Sequence, residues 1–206
     1  MAWAGWRCTH WRELAGMRIE LTRLMAERRA KNRIVSDIRK ASIFFPELRD
    51  KTVKVGIAKN GGGKAYPSLM KISIDPRKRF YSYNVIGHEL MHLIQGCCGI
   101  PKGEKACDLW TIARSPLFLD RPPNYLEIPE FMIERWESWK GFVRRKAIEA
   151  IGLRQEGLRK YIRWFENDLR KAKPDSPETP VSRTQRDRRS SSVQLPLIFG
   201  PSCTAL

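Results

Sequence analysis

NVIGHELMHLIQG, residues 84–96, carries two of the chain's three histidines, four positions apart with a glutamate between them. On a helix, His88 and His92 lie one turn apart on one face, where their imidazole nitrogens can meet a single divalent cation. Glu89 then stands beside His88, able to reach a water at the metal without ligating it. Ile86, Leu90, Leu93 and Cys97 recur at i, i+4, i+7 and i+11 and form an apolar stripe on another face. The spacing predicts a helix from about Ser82 to Gly96, with Gly99 and Pro101 breaking the chain after it.

A tetrahedral catalytic zinc takes three protein ligands and keeps one position open. The third histidine, His10, lies in an N-terminal stretch of no clear period, and the longer HExxHxxGxxH pattern is absent. Gln95 occupies its glycine position and Cys98 its last histidine position. The third ligand is therefore expected to be a carboxylate or a thiolate. GEKACDLW, residues 103–110, offers both. Glu104 and Asp108 are four apart on one face of a predicted helix over 104–114, so one can ligate while the other accepts the free ring N–H of a histidine. Cys107 is the rival ligand, although burial alone also suits a free cysteine.

HELMH followed by E-x-x-x-D in a downstream helix resembles the gluzincins, the thermolysin-like zinc peptidases. The short gap between the two helices is similar to that of small cytoplasmic members, the minigluzincins and the ImmA/IrrE-like peptidases. The resemblance spans roughly residues 52–130 and is sharp at 84–108. It implies one Zn²⁺ per chain held by His88, His92 and Glu104, with Glu89 as general base and Asp108 buttressing a histidine. It also implies an α+β, zincin-like fold, with a small antiparallel sheet or hairpin packed on the HExxH helix and further helices C-terminal to it. The expected reaction is hydrolysis of a peptide or protein substrate. Tyr125, in an extended proline-flanked loop, is the candidate to stabilise the oxyanion, with plain aromatic packing as its other reading.

Two other functional classes stand beside this one. A net charge of +17 raises a nucleic-acid partner, as in DNA-associated SprT-like proteases, but those generally use a third histidine. The charge is also spread: residues 170–206 contribute +4 and residues 1–16 contribute +1, leaving +12 over the body. Such a diffuse field attracts polyanions weakly. A non-catalytic, zinc-stabilised binding module is the second alternative. Five cysteines without framework spacing point to free thiols and a cytoplasmic location. No apolar run is long enough to span a membrane.

Along the chain, three tryptophans crowd residues 1–16, an uncertain extension, and Met17 opens a better pattern and is an expected alternative start. Helical spacing is read from Arg18 to about Phe45, stopped by Pro46. TVKVGIAK (52–59) and AYPSLMKISID (65–75) read as strands, and Asn60-Gly61 between them signals a hairpin. The glycine triplet before Lys64 lacks phosphate-loop spacing. The strand holding Ser68–Ser73 is expected to offer a sheet edge for an extended peptide. Helices broken near Gly152 are predicted over 130–170, with Trp136, Trp139, Trp164 and Phe165 as packing residues. The domain is thus bounded at 17–172, followed by a disordered basic tail over 173–206 whose LPLIFG end could serve as a docking peptide.

Overall fold

The computed structural model describes residues 16–59, 61–77, 80–96 and 99–173. The readings made for the N-terminal tryptophans, the basic tail, Asn60, Cys97 and Cys98 lie outside them. The fold is α+β, with a four-stranded mixed sheet and several helices. The strands are β1 (Arg18–Leu21), β2 (Thr52–Ile57), β3 (Gly63–Tyr66) and β4 (Lys71–Ile74), in the order β1-β2-β4-β3.

Three expectations change here. Arg18–Leu21 is a strand and not the start of a helix: its residues alternate in exposure and pair in parallel with β2, Ile19 opposite Val53 and Leu21 opposite Val55. The helical spacing farther along belongs to a short turn of helix, α1 (Arg23–Ala26), and to α2 (Lys31–Ser42). Second, β2 and β3 do not form a hairpin. β4 slots between them, parallel to β2 and antiparallel to β3. Burial explains the order: Ile72, Ser73 and Ile74 of β4 are all buried, as a central strand requires, whereas β3, GKAY, has no buried residue and takes the edge. The tight reversal lies between β3 and β4, through the 3-10 turn Pro67–Leu69 and Met70 at φ 43°. Third, Ser68 falls in that turn and Ser73 in the internal strand, so the edge that faces the next helix is β3.

That helix is α3 (Tyr83–Ile94). Ser82 caps it, its side chain accepting from Val85 N at 3.1 Å, and Asp120 accepts from the amides of Tyr83 and Asn84 at 2.6 and 2.9 Å. These bonds satisfy donors that a helix start leaves open. The single apolar stripe understates its burial. Asn84 to Met91 are all buried, with Leu93 and Ile94 beyond them, because sheet, α2 and α4 surround it.

α4 (Glu104–Arg114) begins after Gly103, whose φ of 112° is left-handed backbone that glycine adopts without strain. Arg114 at its far end donates to Glu47 at 2.6 and 3.0 Å and to Phe44 O at 2.7 Å, with both charged side chains buried. Gly87 sets the distance between α3 and α4. A Cβ there would fall 2.6 Å from the Phe118 ring and 2.8 Å from Thr111. The 3-10 turn Pro116–Leu119, α5 (Glu130–Glu134), α6 (Trp136–Gln155) and α7 (Tyr161–Lys171) complete the chain. Gly152 lies inside α6. The break comes instead at Gly157, φ 105°. Trp136, Trp139 and Phe165 are buried in the core, with Trp164 packed against it.

Candidate metal centre

Both histidines of α3 turn the same nitrogen inward, and the hydrogen bonds behind them say why. His88 Nδ1 lies 2.6 Å from Asp108 Oδ1. A carboxylate can only accept, so Nδ1 carries a proton, and in the neutral ring Nε2 keeps its lone pair. His92 Nδ1 lies 2.8 Å from Gln95 Oε1. The orientation of that amide is fixed from its other side, because Gln95 Nε2 donates to the carbonyls of Pro101 and Gly103 at 3.1 and 2.9 Å. His92 Nδ1 is thus also a donor. α3 ends where this requires: Gln95 leaves the helix in an extended conformation, and Gly96 follows at φ 84°.

Three acceptors then converge. His88 Nε2 and His92 Nε2 are 3.0 Å apart, and Glu104 Oε2 lies 3.0 Å from the first and 3.1 Å from the second. Two lone pairs and a carboxylate oxygen at this range repel unless a proton or a cation sits among them. Donors held tetrahedrally about 2.0 Å from a zinc ion would stand about 3.3 Å apart, so the triangle has the size for one.

Cys107 also stands in this neighbourhood. His88, His92 and Cys107 form a group that could hold a metal, with ligand atoms within 4.8 Å of one another. Its thiol, however, donates to the backbone oxygen of His88 at 3.1 Å. Burial, aided by the charges of Asp108, Glu89 and Glu104, pushes its pKa far up and disfavours the thiolate a metal needs. Glu104 Oε2 lies within 3.1 Å of both imidazoles, and its side chain is half exposed.

Glu89 is buried, and its Oε2 has no hydrogen-bond partner among the described residues. Burial raises its pKa to about 7; the charges of Glu104 and Asp108 add to the rise and His88 opposes it. For His88, burial works against the charged ring, but the bond and charge of Asp108, with Glu89 and Glu104, outweigh it and leave the pKa raised.

The opposite wall of the site is β3. A Cβ on Gly63 would fall 2.5 Å from Cγ and Oε1 of Glu89, so only glycine lets the strand come this close. Between them a cleft of about 180 Å³ is lined by Gly61 to Gly63, Asn84, Glu89, His88 and Tyr125. The Tyr125 ring stacks on His88 at 5.4 Å between centroids, and its backbone N–H donates to Asp108 Oδ2 at 2.8 Å. Asp108 therefore holds both the histidine and the loop that carries Tyr125, whose phenol pKa burial raises.

Of the residues singled out in the sequence, His88, Glu89 and Tyr125 line this cleft, and His92, Glu104 and Asp108 gather around His88. Gln95 and Gly63 were not foreseen. Gln95 was visible only as a departure from the longer histidine pattern, and Gly63 only as one of three glycines. Set against protein-family profiles, curated proteins and solved structures, the chain finds no match.

Proposed function

We propose that the protein is a zinc-dependent peptidase of the HExxH-plus-glutamate type, with His88, His92 and Glu104 as ligands. The observation that carries this reading is the triangle of three acceptors, with a buried carboxylate, Glu89, one residue from His88 and its Oε2 without a hydrogen-bond partner among the described residues. A stably folded protein seldom leaves such groups facing one another without a ligand. Zinc, when bound, supplies Lewis acidity that lowers the pKa of water and polarises a carbonyl.

The chain's own residues do the rest. Glu89 takes a proton from water as the water oxygen bonds to the scissile carbonyl carbon. It then gives that proton to the departing amine nitrogen as the C–N bond breaks. A resting pKa near 7 suits a group that must both accept and return a proton. Tyr125, whose ring stacks on His88 beside the cleft, supports a role in stabilising the substrate oxygen. The edge of β3 supports an extended peptide as substrate, since an open strand edge can pair with its backbone.

Glu89→Gln separates this reading from a non-catalytic zinc module. The variant should keep stoichiometric zinc and lose cleavage of a fluorogenic peptide library by about 100-fold or more. Wild-type cleavage in Glu89→Gln would remove Glu89 from the mechanism.

A further inference from the structure

Lys105 follows Glu104 on α4, and two carboxylates from elsewhere in the chain hold its ammonium. Glu166 Oε1 on α7 and Glu127 Oε1 in the segment after Tyr125 each accept from Lys105 Nζ at 2.7 Å. The same Glu166 oxygen accepts from the backbone N–H of Glu127 at 3.1 Å. Arg170, one turn farther along α7, donates to Glu127 Oε2. The side chains of Lys105, Glu127 and Arg170 are roughly half exposed, whereas that of Glu166 is 7% exposed. Exposed ion pairs contribute little, but a buried carboxylate is costly unless donors reach it.

Residues 121–129, which include Tyr125 and Glu127, belong to no helix or strand, so their backbone groups must find partners elsewhere. Two amides do so, one on each side of the buried Leu126. Tyr125 N–H donates to Asp108 Oδ2 at 2.8 Å, and Glu127 N–H donates to Glu166 Oε1. Asp108 is thus one of two carboxylates that hold the segment. The second comes from α7, which supplies neither an acceptor of the triangle nor a lining residue of the cleft. α7 is itself seated on α4, where Trp110 Nε1 donates to the Tyr161 hydroxyl at 3.4 Å.

We propose that Glu166 is a positioning residue of the metal centre: by accepting from the Glu127 N–H and from Lys105, it sets the segment on which Tyr125 lies against His88. The Tyr125 ring stacks on His88 at 5.4 Å between centroids. It lies two residues from the Glu127 amide, so releasing that amide frees the ring to leave the stack. Rate is sensitive to such shifts, a misplacement of about 1 Å costing up to about 100-fold. The bearing of Glu166 on turnover rests on the peptidase reading; its hold on Tyr125 does not.

The test compares Glu166→Ala and Glu166→Gln with Asp168→Asn in the full chain. Asp168, also on α7, pairs with Lys146 and Lys171, neither of them in the Tyr125 segment, so it reports the loss of an α7 ion pair by itself. The readout is the Tyr125 ring signal in aromatic ¹H–¹³C spectra, assigned by its absence in Tyr125→Phe. In Glu166→Ala it should move towards the position of an unstacked tyrosine. Glu166→Gln, which keeps an oxygen for the Glu127 N–H, should move it less, and Asp168→Asn should leave it in place. In the zinc-loaded protein, kcat should fall about tenfold in Glu166→Ala with KM and zinc content unchanged. That loss should not add to the loss in Tyr125→Phe. A signal at its wild-type position in every Glu166 variant that folds would overturn the proposal, as would an equal movement in Asp168→Asn. The spectra read the hold on Tyr125 whether or not the protein cleaves peptides, which tells failure of this proposal from failure of the peptidase reading.

Discussion

The α4 wall of the site meets the two imidazoles with side chains, Glu104 close to both and Asp108 bracing His88, whereas the β3 wall meets Glu89 with glycine. The first wall works by what its residues donate and accept. The second works by what it lacks: without a Cβ at Gly63 the strand edge lies against the carboxylate. Damage to the two walls should therefore separate two properties, metal affinity and turnover.

The largest effect belongs to the α4 wall and its partner. His92→Ala and Glu104→Ala should each lose stoichiometric zinc, by metal analysis of purified protein, with affinity falling more than about 100-fold. Removing a bracing group costs less, about 10–100-fold, so Asp108→Asn should fall in that range by competition with a chelating dye. It should also loosen the Tyr125 loop. Gly63→Ala strikes the other wall. Its Cβ displaces Glu89, and cleavage should drop about 10–100-fold with zinc content unchanged. Equal zinc loss in Gly63→Ala and Glu104→Ala would erase the distinction between the walls.

Protons sharpen the same contrast. Asp108 raises the pKa of His88, so in the metal-free protein that ring holds its proton to higher pH than an ordinary histidine. Zinc must displace it. Affinity should rise with pH through the imidazole range and fall as pH drops below it, measurable by calorimetry in buffers of different ionisation heat. Gln95→Ala gives the smallest change, about tenfold in affinity.

The two walls also differed in how far the sequence disclosed them. His88 and His92, then Glu104 and Asp108, are paired by the same four-residue interval, and a helix turns that interval into shared direction. α4 accordingly runs from Glu104 to Arg114, as its spacing suggested. The sheet offered no such rule. Arg18–Leu21 is four residues long and runs straight into a helical pattern, so its alternation was hidden. Whether β3 or β4 lies beside β2 depends on which strand has more to bury, a comparison across the sheet and not along the chain. Gly63 has no side chain to announce it, and Gln95 acts only because α3 stops at Ile94. No helix among the described residues is long and apolar enough to cross a membrane.

The choice of Glu104 over Cys107 is the point on which the metal centre turns, and zinc-edge X-ray absorption of the zinc-loaded protein reads it directly. Ligation by His88, His92 and Glu104 predicts nitrogen and oxygen neighbours at about 2.0–2.1 Å and no sulfur. A sulfur shell at about 2.3 Å, retained in Glu104→Ala and lost in Cys107→Ser, would contradict it.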